Sequence, residues 1–412
     1  MHFGHCWRDA TLPILLLLVA TLPAWGQSGD QGSLAGLALD ASAAVVADAE
    51  VKVRNLGTSL SVSTRTNGFG LFRFPVLPVG LYELTADHPG FAIIRVNNID
   101  VAVGANLTLT LRFRVANAKE DITVTDEAPV LERSRSQLST TIDNRFISSL
   151  PVNGRDFTAF VLLTPGVTMD ARGGLSFAGQ RAMNSLLLDG VNYDDPFWGQ
   201  QMSGFIIDGR QPYPISQDAV REFQVNSNAY SAEFGRAGGG VVNTVTKSGS
   251  NDFHGSAFWF YRDQSMNAND PINKLYGLPK SPFHFNQFGA AVGGPIQKDR
   301  LFFFVNYEGM RSNIPNAVSR RLPADFQLSA DPAIAGFQQI ALDYLTPRAN
   351  SWVLPVSQND YLAKIDWQLS EKHRLTALWD VQRFTGGGAL DIDPQNAFEH
   401  TMSNPTNADT GA

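Results

Sequence analysis

Two neighbouring segments toward the C-terminal end alternate apolar and polar residues with a period of two. The mostly apolar positions are Tyr361, Ala363, Ile365, Trp367 and Leu369 in the first segment, and His373, Leu375, Ala377, Trp379 and Val381 in the second. Each segment is about ten residues long, which is typical of a tilted strand that crosses a membrane. A soluble β-sandwich shows the same alternation. The pattern therefore predicts strands but does not decide whether their outer face meets water or lipid.

The spacing between predicted strands narrows this choice. Strands are predicted near 253–262, 284–293, 301–310, 360–369 and 373–383. The connections 263–283 and 311–359 are long and rich in Asn, Pro and Ser, whereas 294–300 and the bend at Ser370 are short. Outer-membrane barrels have short periplasmic turns and long extracellular loops. The sequence therefore predicts about five strands of a transmembrane antiparallel β-barrel within 251–412, with the preceding segments in the periplasm.

Shorter alternating runs occupy residues 29–115. They lie at 51–55, 71–74, 81–85 and 107–113, with turn signals at 67–68 and 78–80. This spacing predicts a β-sandwich with one small core. Residues 116–128 then change from charged to β-prone to acidic, which favours an extended linker available for pairing with another chain.

Residues 129–250 mix helix and strand signals and predict an α+β unit. Helices are expected at 144–150, after Asp143, and at 157–163, and buried strands at 185–188 and 241–247. With the strands on either side, the expected fold class is mainly β.

The only long apolar run, 12–24, follows Arg8 and precedes small residues at a predicted cut before Gln27. Residues 1–26 are therefore predicted to be a secretory signal peptide, with an uncleaved anchor as the alternative. Cleavage would remove Cys6, the single cysteine, so the mature chain is expected to lack disulfides.

Composition and residue spacing argue against several kinds of chemistry. The net charge of −7 is unfavourable for a general nucleic-acid binder. The five histidines after residue 26 lack zinc-peptidase spacing, and Gly-x-Ser-x-Gly is absent. Residues 238–240 are three glycines without the lysine of a phosphate loop, and are interpreted as a turn. The acidic segment 189–195 suggests either calcium or a solvated loop, and its spacing favours the loop. We therefore predict no catalytic, cofactor or metal residues and no enzyme.

Two family resemblances extend this interpretation. Residues 66–74, 77–82 and 90–91 resemble the carboxypeptidase regulatory-like domain, a transthyretin-like sandwich with a carbohydrate-binding-like fold. The resemblance implies either a spacer or docking module, which is the favoured interpretation, or carbohydrate recognition, because the fold alone does not give sugar binding.

Residues 150–157, 162–167, 187–191 and 230–236, in that order, resemble the plug domain of TonB-dependent outer-membrane transporters of the Oar-like type. The motif residues within these segments are Asn153, Gly154, Arg155, Asp189, Gly190, Gly235 and Arg236. Segments 288–295 and 301–309 also match this family. We expect Arg155, Asp156, Arg181 and Arg236 to form ion pairs within the plug or with the barrel wall, in preference to contacting substrate.

By the same resemblance, Ile122, Thr123, Val124 and Thr125 occupy the place of the TonB box, the strand that pairs with TonB in the periplasm. The implied function is energy-coupled uptake of a substrate such as a siderophore, saccharide or peptide, without a cofactor. The implied partners are TonB with its inner-membrane energising complex, and outer-membrane lipid. The alternative is a secreted or surface β-rich protein that binds carbohydrate or mediates adhesion.

About five strands cannot close a barrel, because bacterial single-chain barrels close with an even number. Residues 386–412 are interpreted as a polar loop that does not return to the membrane. The expectation is therefore a C-terminally truncated fragment of a longer transporter.

Overall fold

Strands dominate the structure, which confirms the mainly β fold class. The computed structural model describes residues 31–115, 122–124, 138–169, 175–181, 184–193, 215–228, 230, 234–235, 237–275, 277, 279–316, 326–345, 352–370, 373–386 and 406–411. Within these ranges the strands form five sheets. No helix in the same ranges has the length and apolarity needed to cross a membrane. The predicted signal peptide lies outside the described residues.

The N-terminal strands pair into two facing sheets. They are β1 (Gln31–Leu39), β2 (Glu50–Asn55), β3 (Ser61–Arg65), β4 (Leu71–Pro78), β5 (Gly80–Asp87), β6 (Ile94–Val101) and β7 (Asn106–Arg112). One sheet has the order β4-β1-β7 and the other contains β3-β2-β5-β6. Within the first sheet, Gly36 leaves room for its neighbouring strands, because a Cβ there would lie 2.3 Å from Phe72 Cζ on β4 and 2.4 Å from the Leu109 carbonyl oxygen on β7. The predicted sandwich is confirmed, and we call β1 to β7 the sandwich.

A short strand, β8 (Ile122–Val124), extends the second sheet of the sandwich. It runs parallel to β6, with Ile94 opposite Ile122 and Val96 opposite Val124. The box-like segment is thus extended and occupies the end of a sheet. Thr125, its fourth member, lies outside the described residues.

The middle of the chain forms a mixed sheet with short helices, and we call residues 138–246 the central unit. Its strands are β9 (Leu138–Asp143), β10 (Val167–Met169), β11 (Leu175–Phe177), β12 (Gln180–Arg181), β13 (Ser185–Leu188), β14 (Val191–Asn192), β15 (Val220–Asn228) and β16 (Val241–Thr246). The main sheet has the order β14-β13-β16-β15-β9, and β10 to β12 form a small separate sheet.

Helix α1 (Asn144–Ser149) begins where predicted, because Asp143 Oδ1 accepts a hydrogen bond of 2.8 Å from the Phe146 amide. The helix expected at 157–163 is instead a 3₁₀ helix, Phe157–Leu163. Pro165 ends the segment, because proline disfavours the helical conformation in the residue before it. Further 3₁₀ turns lie at Asn153–Arg155 and Gln217–Ala219.

The last strands form one antiparallel sheet in sequence order, which we call the wall. They are β17 (His254–Asp263), β18 (His284–Gln297), β19 (Leu301–Asn316), β20 (Trp352–Ser370), β21 (His373–Gly386) and β22 (Thr406–Gly411). A 3₁₀ turn, Gln264–Met266, and α2 (Pro271–Leu275) lie in the first long loop, and α3 (Pro332–Leu345) lies in the second. Because β19 and β20 extend beyond the predicted strands, the second long loop is 317–351 and not 311–359.

Strand β22 corrects the interpretation of residues 386–412 as a polar loop. Thr406–Gly411 pairs with β21 from Val381 to Gly386. The polar composition of this segment misled the prediction, because a strand at an open sheet edge is held by backbone hydrogen bonds and needs no apolar side chains.

The burial pattern of the wall is the reverse of that in a soluble sandwich. On β20, Ile365 and Trp367 are 45% and 39% exposed, whereas Lys364 and Asp366 are 2% and 5% exposed. The apolar face therefore points outward and the polar face points toward the central unit. A soluble sandwich would bury its apolar face, so the reversal favours the membrane barrel over the soluble alternative.

Candidate functional site between the central unit and the wall

The candidate site is the interface at which the central unit packs against the inner face of the wall. An apolar cluster crosses this interface, since Phe223 and Val225 of β15 belong to the same buried group as Ala291, Phe304 and Leu362 of the wall. Around this cluster, charged and polar side chains of the central unit meet carboxylate, amide and ammonium groups of the wall.

The first polar contact is a buried ion pair between Asp189 and Lys364. Asp189 follows β13 at φ +47° and Gly190 has φ +83°, so the Asp-Gly pair forms a left-handed turn that suits these residue types. Asp189 Oδ2 accepts a hydrogen bond of 2.9 Å from Lys364 Nζ. Thr246 completes the site: its amide donates to Asp189 Oδ1, and its hydroxyl donates to Asp189 Oδ2 while accepting from Lys364. Both the carboxylate and the ammonium group of the pair therefore make a further hydrogen bond to Thr246.

The second polar contact is made by Arg155, in the turn after Gly154. Its Nη2 lies 2.7 Å from Asp218 Oδ1 in the central unit, and its Nε lies 3.9 Å from Glu308 Oε1 in the wall. The guanidinium carbon lies 3.9 Å from the centre of the Phe258 ring on β17. We expected ion pairs within the plug or with the barrel wall, and Arg155 makes both.

Gln287 links the same turn to the wall. Its Nε2 donates to the Gly154 carbonyl oxygen at 3.0 Å and to Glu308 Oε1 at 2.6 Å. Glu308 also accepts a hydrogen bond of 2.5 Å from the Ser216 hydroxyl. Glu308 is therefore the wall residue that contacts both Arg155 and Ser216 of the central unit, and Gln287 of the neighbouring wall strand also donates to it.

A third polar contact joins Tyr193 to β21, where the Tyr193 hydroxyl donates to Asp380. Burial is the main cause that raises the pKa of the Tyr193 phenol far above its ordinary value, so the hydroxyl keeps its proton and remains a donor. Some buried polar atoms at the interface have no hydrogen-bond partner. Among the described residues, both side-chain polar atoms of buried Asn306 on β19 lack a hydrogen-bond partner.

The structure brings some of the predicted motif residues to this interface and not others. Gly154, Arg155 and Asp189 contact the wall, and Gly190 completes the turn of Asp189. For Asn153 and Arg181 only the backbone is described, and Arg236 lies outside the described residues. A Cβ added at Gly235 would meet no atom within 4 Å, so close packing does not require a glycine there.

Asp189 also corrects the interpretation of 189–195 as a solvated loop. Its side chain is only 8% exposed and is paired with Lys364, because the left-handed turn directs it toward the wall. Asp194 and Asp195 lie outside the described residues. Within the described part of the chain, no group of His, Cys, Asp and Glu side chains is arranged to hold a metal ion.

Sequence reasoning missed Lys364, Glu308, Asp218, Tyr193 and Asp380 as partners. Lys364 and Asp380 lie between the apolar positions of their strands, so the alternation predicts a polar face for them. Period-two alternation gives no information about which residue of another unit they face. A polar face that carries full charges was the available signal, since buried charges require partners.

Comparison with known proteins gives the context for this interface. Residues 33–114 match the carboxypeptidase regulatory-like domain, and residues 245–352 match the outer membrane beta barrel domain. Over 96% of its length, the chain is 24% identical to the TonB-dependent transporter Oar of Myxococcus xanthus. The chain is a homologue of a TonB-dependent transporter. It spans 37% of the length of that relative.

Comparison with solved structures gives matches that cover only part of this transporter homologue. The match with the outer membrane transporter YddB from Escherichia coli covers 60% of this chain and 33% of the YddB chain. The sequence identity is 16% and the TM-score is 0.44. The match with the siderophore receptor PirA from Acinetobacter baumannii covers 62% of this chain and 32% of the PirA chain. The sequence identity is 19% and the TM-score is 0.40. The Oar relative is a transporter and not an enzyme, in agreement with the expectation from sequence. The barrel-domain match and this relative support an outer-membrane location.

Proposed function

We propose that the chain is part of a TonB-dependent transporter that takes up a substrate across the bacterial outer membrane. The observation that carries the proposal is a folded central unit held by ion pairs against the polar inner face of a wall whose outer face is apolar. This is the arrangement expected of a plug inside a membrane barrel. The substrate class remains a siderophore, saccharide or peptide, as the family resemblance implies.

The position of the sandwich supports a periplasmic location for the N-terminal region. The amide of Asn251, just before β17, donates to the Gly57 carbonyl oxygen at 2.9 Å. The Asn251 side chain also exchanges hydrogen bonds with Asp299 in the short turn between β18 and β19. The sandwich therefore adjoins the short-turn end of the wall, and short turns of outer-membrane barrels face the periplasm.

The position of β8 supports its proposed role in contacting TonB. Ile122–Val124 is the last strand of its sheet, and no described strand pairs with its outer edge. Such an edge can accept a strand of a second protein by backbone hydrogen bonding. We propose that Ile122 to Thr125 pair with TonB in this way.

The connectivity suggests how force on this segment would act on the plug. The first strand of the central unit after β8 is β9, which lies at the edge of the main sheet and pairs only with β15 among the described strands. A pull on the linker therefore reaches an edge strand first, and edge pairs separate one after another. Substrate bound on the long-loop side would shift the population toward the state in which β8 engages TonB.

Disulfide trapping in cells tests the TonB contact. The only cysteine of the chain is Cys6, in the predicted signal peptide, so introduced cysteines give an unambiguous signal. We expect Thr123→Cys to form a disulfide with a cysteine variant of the TonB periplasmic domain. Phe69→Cys, at a sandwich turn residue that is 75% exposed, is the matched control and is expected to form none. Equal trapping at both positions would contradict the proposal.

Deletion of residues 121–125 separates transport from binding. The expected result is loss of uptake of siderophores, saccharides or peptides with retained binding at the cell surface. Loss of binding as well would count against the box assignment. Fractionation addresses the alternative, since a protein that is soluble without detergent would favour a secreted carbohydrate-binding function.

A further inference from the structure

A cavity of about 720 Å³ lies where the sandwich, the central unit and the short-turn end of the wall meet. Its volume is in the range of small-molecule sites, roughly 300–1,000 Å³. The sandwich contributes Asn55 and Tyr82, the central unit contributes Arg221 and Lys247, which follows β16, and the wall contributes Arg374. Neither Asp189 nor Arg155 lines the cavity, and Asp218, the partner of Arg155, lies next to it and accepts a hydrogen bond from Ser256 in the lining.

Local backbone structure places two of the cations together. Strands β15 and β16 pair in antiparallel orientation, with Val220 opposite Thr246 and Glu222 opposite Val245. Arg221 is the extra residue of the bulge between these pairs, and bulges commonly redirect a side chain out of the sheet. Lys247 directly follows Thr246, and its amide donates to the Ala219 carbonyl oxygen. The two side chains therefore leave the same end of the main sheet and line one cavity.

Among the described residues, these two half-buried cations have no carboxylate within hydrogen-bond distance. Within the described part of the chain, neither the Arg221 guanidinium nor the Lys247 ammonium makes a hydrogen bond or an ion pair. Arg374 is different, since its Nη2 lies 2.6 Å from Asp366 Oδ1. The lining holds three cations and one carboxylate, Asp366, so the wall of the cavity carries a net positive charge. The other carboxylates that act on these cations lie outside the lining: Asp218 near Lys247, and Glu222 and Asp100 near Arg221. Burial lowers the pKa of the Lys247 ammonium, as expected for a cation removed from water.

The remaining lining adds neutral hydrogen-bonding groups and apolar surface. Asn144, Ser250 and Ser256 contribute amide and hydroxyl groups, and Phe302 and Phe304 contribute aromatic surface. The exposed residues Gly57 and Val62 also line the cavity, so a soluble ligand can reach it. A few polar groups on a partly apolar lining are characteristic of small-molecule sites.

We propose that this cavity binds a small organic anion that bears carboxylate or phosphate groups. Arg221 and Lys247 hold the anionic groups through charge-assisted hydrogen bonds, and the carbon skeleton lies against Tyr82 and the two phenylalanines. Because all three parts of the molecule line the cavity, the bound anion also bridges the sandwich to the central unit and the wall.

Calorimetric titration of the detergent-solubilised full-length protein tests the site, with citrate and inorganic phosphate as the two probes. The Arg221→Gln/Lys247→Gln double variant is expected to weaken binding about tenfold or more, because both charged donors are lost. The control, Lys52→Gln/Arg112→Gln, removes the same charge from exposed positions of β2 and β7 and is expected to bind as the wild type does. Loss of binding of either probe in the first variant alone supports the site. Failure of both probes to bind the wild type, or equal weakening in the two variants, overturns it.

A measurement on the unmodified protein keeps the test valid if the double variant does not fold. Acetylation of individual lysines is followed by mass spectrometry with and without saturating citrate or phosphate. The expected result is several-fold protection of Lys247 and none of Lys52. Equal acetylation of Lys247 with and without both anions would overturn the proposal.

Discussion

Strand β7 of the sandwich and strand β20 of the wall share a period-two pattern and bury opposite faces. On β7, Leu107, Leu109 and Leu111 are buried and the intervening Thr and Arg residues are exposed. On β20, Lys364 and Asp366 are buried and Ile365 and Trp367 are exposed. The alternation therefore specifies a strand with two unlike faces, and does not specify which face meets solvent.

Two further features distinguish the strands. The sandwich strands are five to nine residues long, whereas β19 and β20 have 16 and 19 residues. A membrane crossing needs roughly 9–11 residues. Strands β18 to β21 of the wall, with 14 to 19 residues, are long enough to cross and extend beyond the bilayer. In addition, the buried face of β20 carries charges that are paired: Lys364 with Asp189 of the central unit, and Asp366 with Arg374 of β21.

The largest expected effect comes from Lys364→Met. The substitution leaves the Asp189 carboxylate buried without its cation, at a cost of about 3–5 kcal/mol in the free energy of unfolding. Lys52→Met, at an exposed position of the sandwich, is the control and should change stability by less than about 0.5 kcal/mol. Denaturant unfolding of the protein in detergent measures both.

A second variant separates charge burial from packing at Lys364. Lys364→Met combined with Asp189→Asn should recover part of the lost stability, because no unpaired charge remains and Asn tolerates the left-handed conformation at position 189. If the single Lys364→Met variant is as stable as the wild type, the buried pair does not hold the central unit to the wall.

The next effect contrasts two apolar residues on the two kinds of strand. Leu109→Ala creates a cavity in the sandwich core and is expected to cost about 3 kcal/mol, within the usual range of 2–5 kcal/mol. Ile365→Ala removes a side chain that faces lipid or detergent and should cost less than about 1 kcal/mol. Equal costs, measured by thermal unfolding in the same detergent, would mean that the faces of β7 and β20 are not opposed.

A smaller, pH-dependent effect is expected at the junction between the sandwich and the central unit. Glu222 accepts a hydrogen bond from the Val103 amide, and burial raises the pKa of its carboxyl from 4.5 to about 7. The folded state therefore binds more protons than the unfolded state between these values. This contribution to stability is complete below pH 4.5 and is lost as the pH rises through 7. It amounts to about 3–4 kcal/mol at most, since each pKa unit corresponds to about 1.4 kcal/mol.

Glu222→Gln removes this titration. Unfolding measured at pH 5 and pH 8 should show the wild type losing stability relative to the variant as the pH rises. Parallel pH profiles for the two proteins would refute the assignment of Glu222 as a buried carboxyl that is protonated in the folded state.

Local patterns were sufficient to predict the five strands β17 to β21 of the wall, four strands of the sandwich and the capped helix α1. They missed several short strands of the central unit, such as β9 to β12. They could not predict β22, because backbone pairing at an edge leaves no periodic signal in polar residues. Nor could they predict that Asp189 meets Lys364, 175 residues away in sequence, since that contact depends on how two separately patterned units pack. The motif residues Arg155 and Asp189 were identified through resemblance, and their partners followed only from the structure.

The opposed faces of the wall can be tested most directly with spin labels placed singly at positions 361 to 369 of the protein in bilayers. We predict that labels at odd-numbered positions collide with oxygen dissolved in lipid, and that labels at even-numbered positions are shielded from both oxygen and a water-soluble nickel complex. Collision of the odd-numbered positions with the nickel complex, or the absence of any alternation, would contradict a membrane wall that encloses a plug.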